Sequence, residues 1–401
     1  MKKPVLLAIW MCLAVLTPAS LQAGDDRAVC GRVSTQDGIT VLELWGTPAE
    51  AAYAHGWLMA DKIVELVDGF MLHPDITPNP QMYDALLLPM VRRNFVWSEQ
   101  QQAEIDALYR GAHDRLGERF RSERLDRALR VEDIMAANTM ADWFGLFCSS
   151  FSVWGALSPD GATLTARNLD FPNTTVLQTE QVAFVRRGPT PRQSWVSIAW
   201  PGLIGVYTAM NGAGVTISMH DAPGLQLERL AGFTPRSLIL REALESAEGE
   251  DFINDVQRVF ESRNVAVGNN IHVSAADAPH AAIFEYDGRD KETKGVALRM
   301  ASEAIDAMPA IRCTNHMCKR QPPVDCERYE RLGDELKVAW DAHQPITVDR
   351  AFEMLASVRQ RITLYSVVMR PAAREIWLLS PKINPKPVRL DVKAMLAGKG
   401  E

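Results

Sequence analysis

The chain has 401 residues, 43 of them basic and 50 acidic, a formal net charge of −7 and 47% hydrophobic residues. This mildly acidic balance, with no basic tract, argues against nucleic acid as a partner. No segment beyond the first two dozen residues approaches the ~18 consecutive apolar residues of a spanning helix, so no integral membrane span is predicted.

Residues 1–23 read as a secretory leader: Lys2 and Lys3, an apolar run from Val5 to Leu16, then a cleavage region ending at Ala23. Its removal leaves 41 basic and 50 acidic residues, a net −9, in an exported, periplasmic or secreted chain. Five of the six cysteines remain: Cys30, Cys148, Cys313, Cys318 and Cys326. An oxidising compartment favours pairing. An odd count leaves one thiol free, and Cys148 stands apart from the others. The remaining four allow three pairings, with Cys318–Cys326 as the local option. A zinc site from Cys313, His316, Cys318 and Cys326 competes with this, but the spacing lacks the usual ligand pairs, and no metal is predicted.

The elements follow in chain order. Residues 39–46 alternate as a strand, and Thr47-Pro48 caps a helix running to about Val67. Residues 73–82 read as loop, and 98–127 and 131–143 as helices. Residues 24–147 are therefore predicted to be mostly helix. After Cys148 the texture becomes strand-like at 150–156 and 162–168, joined by the turn Ser158-Pro159-Asp160-Gly161. Further strands are predicted at 181–186, 194–200, 206–210, 214–219, 271–274, 281–285, 361–369 and 375–379. Helices are predicted at 234–247, 250–262, 326–340 and 347–359, with an edge strand and polar tail from Pro381 onward. Strands in runs with helices outside fit an α+β layered fold, with antiparallel sheets, better than a doubly wound one.

The chemistry centres on Cys148. No Gly-x-Ser-x-Gly elbow exists, and Asn211-Gly212 reads as a hairpin turn rather than a phosphate loop. A lone thiol needs a nearby charge or base to act as nucleophile. Arg167 and Asp170, three residues apart on the next strand, supply a charge and an orienting carboxylate. His55, His113 and His343 fall on predicted helices and read as packing or surface residues. His220 and His316 lie at strand ends and are the candidate bases for a Cys–His alternative.

The run Cys148-Ser149-Ser150-Phe151 with Ala166-Arg167-Asn168-Leu169-Asp170-Phe171 resembles the N-terminal nucleophile hydrolases of the acyl-coenzyme A:6-aminopenicillanate acyltransferase and choloylglycine hydrolase group, acid-ceramidase relatives included. Weaker matches follow in order: Met210-Asn211-Gly212-Ala213-Gly214-Val215, then Asp277 with Phe284-Glu285, then Thr314-Asn315-His316. Upstream, Gly46 to Glu50 with Ala54-His55-Gly56 resembles the pro-region of the acyltransferase branch. The resemblance implies a four-layer αββα sandwich with the catalytic domain at 148–401.

It also implies self-cleavage of the Phe147–Cys148 bond, with residues 24–147 as a helix-rich pro-segment or small chain. Cys148 would be the nucleophile and its freed α-amine, with a pKa of ~7.7–8, the base. Arg167 would favour the thiolate, Asp170 would hold the amine, and Asn315 would donate to the oxyanion. The family often has Asn where this chain has Asp221, after His220; both are assigned to substrate contact. Trp154, Trp200, Phe171 and Tyr207 are the candidate acyl-pocket aromatics. The implied reaction is hydrolysis or transfer of a small N-acyl amide with an apolar acyl group, with no cofactor. The alternatives are an unprocessed binding protein of the same fold and a hydrolase with His316 or His220 as base. The residues carry no signal for oligomeric state.

Overall fold

A computed structural model describes residues 28–143, 145, 147–172, 174–225, 231–287, 295–301, 308–320 and 325–398. The predicted leader, residues 1–23, lies outside them. The chain opens with β1 (Gly31–Gln36) and β2 (Ile39–Leu44), then α1 (Pro48–Leu58) and α2 (Ala60–Leu66), which ends in a π-type turn, Val67–Met71. Next come α3 (Pro80–Met82), α4 (Leu88–Asn94), α5 (Glu99–Leu116) and the short hairpin β3 (Arg121–Ser122) with β4 (Arg127–Ala128). Two helices, α6 (Val131–Asn138) and α7 (Met140–Trp143), lead to β5 (Ser149–Gly155) and β6 (Gly161–Asp170). Then follow α8 (Thr175–Thr179), β7 (Val182–Arg186), β8 (Trp195–Ala199), β9 (Thr208–Asn211) and β10 (Thr216–Leu225). Helices α9 (Arg236–Ser246) and α10 (Phe252–Ser262) precede β11 (Val267–Ser274), β12 (Ala281–Tyr286), β13 (Val296–Met300) and β14 (Ala310–Cys313). The chain ends with α11 (Glu327–Asp341), α12 (Val348–Ser357), β15 (Thr363–Arg370), β16 (Glu375–Ser380), β17 (Asn384–Asp391) and α13 (Val392–Ala397).

Among the described residues these strands form a nine-stranded sheet, β1-β2-β7-β8-β9-β10-β11-β12-β13, and a six-stranded one, β14-β5-β6-β15-β16-β17. Alternation decides the layering. On β5 and β6, Phe151, Val153, Leu164 and Ala166 face outward, into a cluster with Leu332 and Leu336 of α11 and Phe352 and Leu355 of α12. On the larger sheet Phe284 and Tyr286 pack on Phe260 of α10, with ring centroids 5.3 and 5.2 Å apart. The opposite faces of the two sheets meet each other. The result is the α+β, αββα sandwich.

The layer between the sheets is polar near β5. Ser150 and Ser152 bond the ring nitrogens of His272 at 2.8 and 2.7 Å, and Thr165 bonds Ser152 and Ser274 at 2.7 and 2.6 Å. Burial lowers the His272 pKa to about 3, so its ring is neutral and serves as a hydrogen-bonding spacer.

The predicted pro-segment is not a separate body. β2 pairs in parallel with β7, Thr40 opposite Val182 through Leu44 opposite Arg186, so residues 31–44 extend the larger sheet. The Thr47–Glu50 capping box starts α1 as its sequence suggests. The helix predicted over 98–127 stops at Leu116, because Gly117 turns the backbone to φ +57°. The tail from Pro381 forms an edge strand as predicted and then a further helix, α13.

Helices α1 and α5 cross at two glycines. A Cβ on Gly56 would lie 1.9 Å from the Leu108 carbonyl oxygen, and one on Gly111 would lie 2.1 Å from that of Tyr53. Both obstacles are backbone, so neither can rotate away. Gly56→Ala is expected to cost about 2–3 kcal/mol, read as a lower urea midpoint; an unchanged midpoint would contradict this crossing.

Candidate active site

Cys148 sits one residue before β5, and antiparallel pairing sets Ser150 opposite Arg167 on β6. Ser150 and Ser152 point between the sheets, and period-two alternation turns Cys148 the same way. Its side chain is fully buried, while Phe147 is 51% exposed, so the Phe147–Cys148 bond lies at the boundary. The Phe147 amide donates to the Asp170 carbonyl at 2.9 Å and fixes the segment against the end of β6.

Arg167 is buried and clamped by the larger sheet. It donates to the carbonyls of Tyr207 at 2.8 Å and Met219 at 2.5 Å, to the Thr208 hydroxyl, and to Cys148 Sγ at 3.2 Å. Burial pushes the Cys148 thiol up; the Arg167 charge opposes that shift. Asp170 accepts from Thr363 Oγ1 at 2.5 Å, and burial raises its pKa to about 6 against the pull of Thr363, Arg328 and Arg167.

The fourth group is Arg328, in the first turn of α11. It donates to the Cys148 carbonyl at 2.8 Å and to Asn315 Oδ1 at 2.8 Å, and pairs with Asp170 Oδ2 at 3.4 Å. One guanidinium therefore joins three of the sequence-predicted residues. Sequence reading missed it. The available signal was a cation in a helical first turn, where the macrodipole favours acids. Asn270 was also missed: its amide donates to the carbonyls of Thr314 and His316 at 3.1 and 2.7 Å and holds the Asn315 turn.

Cys148, Arg167, Asp170 and Asn315 thus lie in one cluster, joined through Arg328. The Asn315 amide donates to the Asp221 carbonyl at 2.8 Å in the intact chain, so the oxyanion role requires that bond to be exchanged. The Asp221 carboxylate accepts from Arg236 at 2.6 Å, and Arg236 also meets Asn269 Oδ1 at 2.7 Å and Asp142 at 3.5 Å. Asp221 is thereby held in the wall of the site by a buried cation. Burial raises the pKa of Asp142, its neighbour on that cation, to about 7.

Four expectations need correction. Trp154 is remote from the thiol: it lies near the far end of β5, six extended residues beyond Cys148, and stacks on His280 at 5.2 Å. Trp200, Tyr207 and Phe171 are fully buried core residues: Trp200 meets Tyr207 at 6.1 Å, and Phe171 meets Phe70 at 5.5 Å. Neither candidate histidine reaches Cys148. His220 Nδ1 meets the Asn270 carbonyl at 3.3 Å and its buried Nε2 has no partner; burial and the Arg167 charge hold it well below the usual range. His316 turns instead to Thr314 Oγ1, 3.0 Å from its Nδ1, and to the Tyr329 ring at 4.8 Å. The expected disulfides are absent as well: all five described cysteines are free thiols.

Among the described residues no group of three His, Cys, Asp or Glu side chains could hold a metal ion, and no helix is long and apolar enough to cross a membrane.

No protein-family model matches the chain. A curated protein of Archaeoglobus fulgidus, described as uncharacterized, is 22% identical over 279 residues, 64% of this chain and 45% of that protein. The chain therefore spans less than half the length of that curated relative. Among solved structures, a Caenorhabditis elegans N-acylethanolamine-hydrolyzing acid amidase ortholog is similar over 56% of this chain and 93% of its own, at 20% identity and a TM-score of 0.43. A conjugated bile acid hydrolase from Clostridium perfringens is similar over 62% and 94%, at 10% identity and a TM-score of 0.41. Penicillin V acylase from Agrobacterium tumefaciens is similar over 61% and 86%, at 14% identity and a TM-score of 0.39.

Proposed function

We propose that this protein is a self-processing cysteine amidase that hydrolyses small N-acyl amides with an apolar acyl group. The observation that carries the reading is the convergence of Arg167, Asp170, Asn315 and Arg328 on Cys148. In the first step Cys148 Sγ attacks the Phe147 carbonyl carbon and the acyl group moves from nitrogen to sulfur. Water then cleaves that thioester, leaving a Phe147 carboxylate and a free Cys148 α-amine. Pairing of β2 with β7 would keep residues 24–147 attached as a small chain after the cut.

In turnover the α-amine takes the thiol proton and the thiolate attacks the substrate carbonyl. Arg167 favours the thiolate, and Asp170 lies where the new amine emerges. Arg328 and Asn315 carry the donors within reach of the developing oxyanion. The amine product leaves with the proton, and water hydrolyses the acyl-Cys148 thioester. Residues 1–23 are proposed to direct export.

The test is an N-acyl amide panel of increasing chain length, followed by acid quench and mass spectrometry. Wild type should carry the acyl mass on the peptide beginning at Cys148, and Cys148→Ala should carry none and hydrolyse at the uncatalysed rate. An acyl adduct elsewhere, or turnover by Cys148→Ala, would refute the reading.

A further inference from the structure

Asp170 has a neighbour to which the proposed reaction gives no role. Its carboxylate sits at the end of β6, where the chain from α12 enters β15. Antiparallel pairing sets Val367 opposite Arg167, Ser366 opposite Asn168 and Tyr365 opposite Leu169. One more regular step would bring the apolar Leu364 against Asp170. The register shifts there instead, and Thr363 takes that place. Leu364 is left in the core, 2% exposed. A bulge at the end of a strand re-aims one side chain in this way, and here it exchanges a hydrocarbon for a hydroxyl.

The hydroxyl is also oriented. The Thr363 amide donates to the Gln360 carbonyl at 3.1 Å, and the Gln360 amide donates to Thr363 Oγ1 at 2.9 Å. Oγ1 therefore lies between an amide that can only donate and Asp170 Oδ1, 2.5 Å away, so its proton points to the carboxylate. Arg328 serves the other oxygen, Oδ2, at 3.4 Å. Donors on both oxygens favour the ionised carboxylate, against the burial that raises its pKa to about 6. The other charged and titratable groups facing Asp170 are Arg167 on its own strand, Arg359 between α12 and β15, and the Cys148 thiol before β5.

We propose that Thr363 is a positioning residue: its hydroxyl, aimed by the Gln360 turn, keeps Asp170 ionised and fixed beside Cys148, and so sets the acid limit of turnover. This rests on the proposed function, in which Asp170 holds the Cys148 α-amine. An ionised Asp170 holds that amine by a charge-assisted hydrogen bond, and a protonated one does not. Arg328 cannot stand in for the hydroxyl, because it reaches the opposite oxygen.

The experiment compares wild type, Thr363→Val and Thr363→Ser in two readouts between pH 5 and pH 8: kcat/KM for an N-acyl amide, and the urea midpoint. Valine keeps the shape and removes the hydroxyl, whereas serine keeps the hydroxyl. Thr363→Val should move the acid limb up by about one pH unit. The rate loss should then be about fivefold at pH 6 and under about twofold at pH 8. Thr363→Ser should restore the wild-type limb.

The urea midpoint reads the same contact without any substrate. A carboxyl whose folded pKa lies above its unfolded value gives stability that is lost as pH rises through the folded pKa, and the valine variant raises that folded pKa further. The midpoints of wild type and Thr363→Val should therefore lie closest near pH 5 and draw apart toward pH 8. An unmoved acid limb, a rate loss equal at every pH, or a midpoint gap that does not change with pH would assign Thr363 to packing and overturn the proposal. A gap that widens with pH in proteins that hydrolyse no amide would refute the amidase reading while supporting the hold of Thr363 on Asp170.

Discussion

Arg167→Met is expected to lower kcat/KM for an N-acyl amide about 10- to 10³-fold. The thiol is fully buried, and burial alone favours its neutral form. An adjacent opposite charge is worth about one to three pKa units, which is the thiolate population lost when Arg167 goes. The same change removes the Arg167 donor from the Met219 carbonyl and leaves the Tyr207 carbonyl with the Met219 amide at 3.2 Å, a stability cost of about 1–3 kcal/mol. Arg167→Lys should recover little of the rate. A single ammonium cannot bridge two carbonyls, a hydroxyl and the thiol as the planar fork does. Steady-state kinetics with a chemical denaturation curve for each variant checks both parts, and a variant that keeps near wild-type kcat/KM would remove Arg167 from the mechanism.

The second large effect belongs to Arg328. Arg328→Met should lower kcat/KM about 100-fold, because one side chain orients the Cys148 carbonyl, Asp170 and Asn315 together. It should also move the acid limb of the pH–rate profile. The Asp170 pKa is about 6 in the folded chain, and Arg328 is among the groups that hold it down. Removing that cation raises it further, so activity that depends on ionised Asp170 appears only at higher pH.

Stability follows the same linkage. A carboxylate whose folded pKa exceeds its unfolded value of ~3.9 contributes stability fully present below that value and lost as pH rises through the folded pKa. The stability gap between variant and wild type should therefore be small near pH 4 and widen toward pH 8. An unshifted limb with a uniform rate loss would assign Arg328 to packing rather than to Asp170.

These two arginines also show what the sequence makes legible. Arg167 and Asp170 lie within one hairpin of Cys148, and an antiparallel pair converts a fixed sequence offset into a fixed spatial one. The hairpin at Asn211-Gly212 reads out for the same local reason. Arg328 lies 180 residues from Cys148, and no local rule links the first turn of α11 to the start of β5. Trp154 fails for a related reason: strand alternation gives its face, while its distance along β5 from the thiol decides that it misses the site. β1 escapes notice because most of its residues are exposed, so no apolar alternation marks it. The position of Asp221 in the sequence suggests substrate contact, yet its buried counter-ion Arg236 lies on a helix whose arrival only tertiary packing specifies.

The central claim is that the chain cuts itself to make Cys148 an N-terminus, and the most direct measurement is intact mass with N-terminal sequencing of the purified full-length protein beside Cys148→Ala. Wild type should give two fragments, the larger beginning Cys148-Ser149-Ser150, which remain together on gel filtration until denatured, while Cys148→Ala stays whole. A wild-type chain that hydrolyses N-acyl amides while uncut, or a Cys148→Ala chain cut at the same bond, would contradict the account.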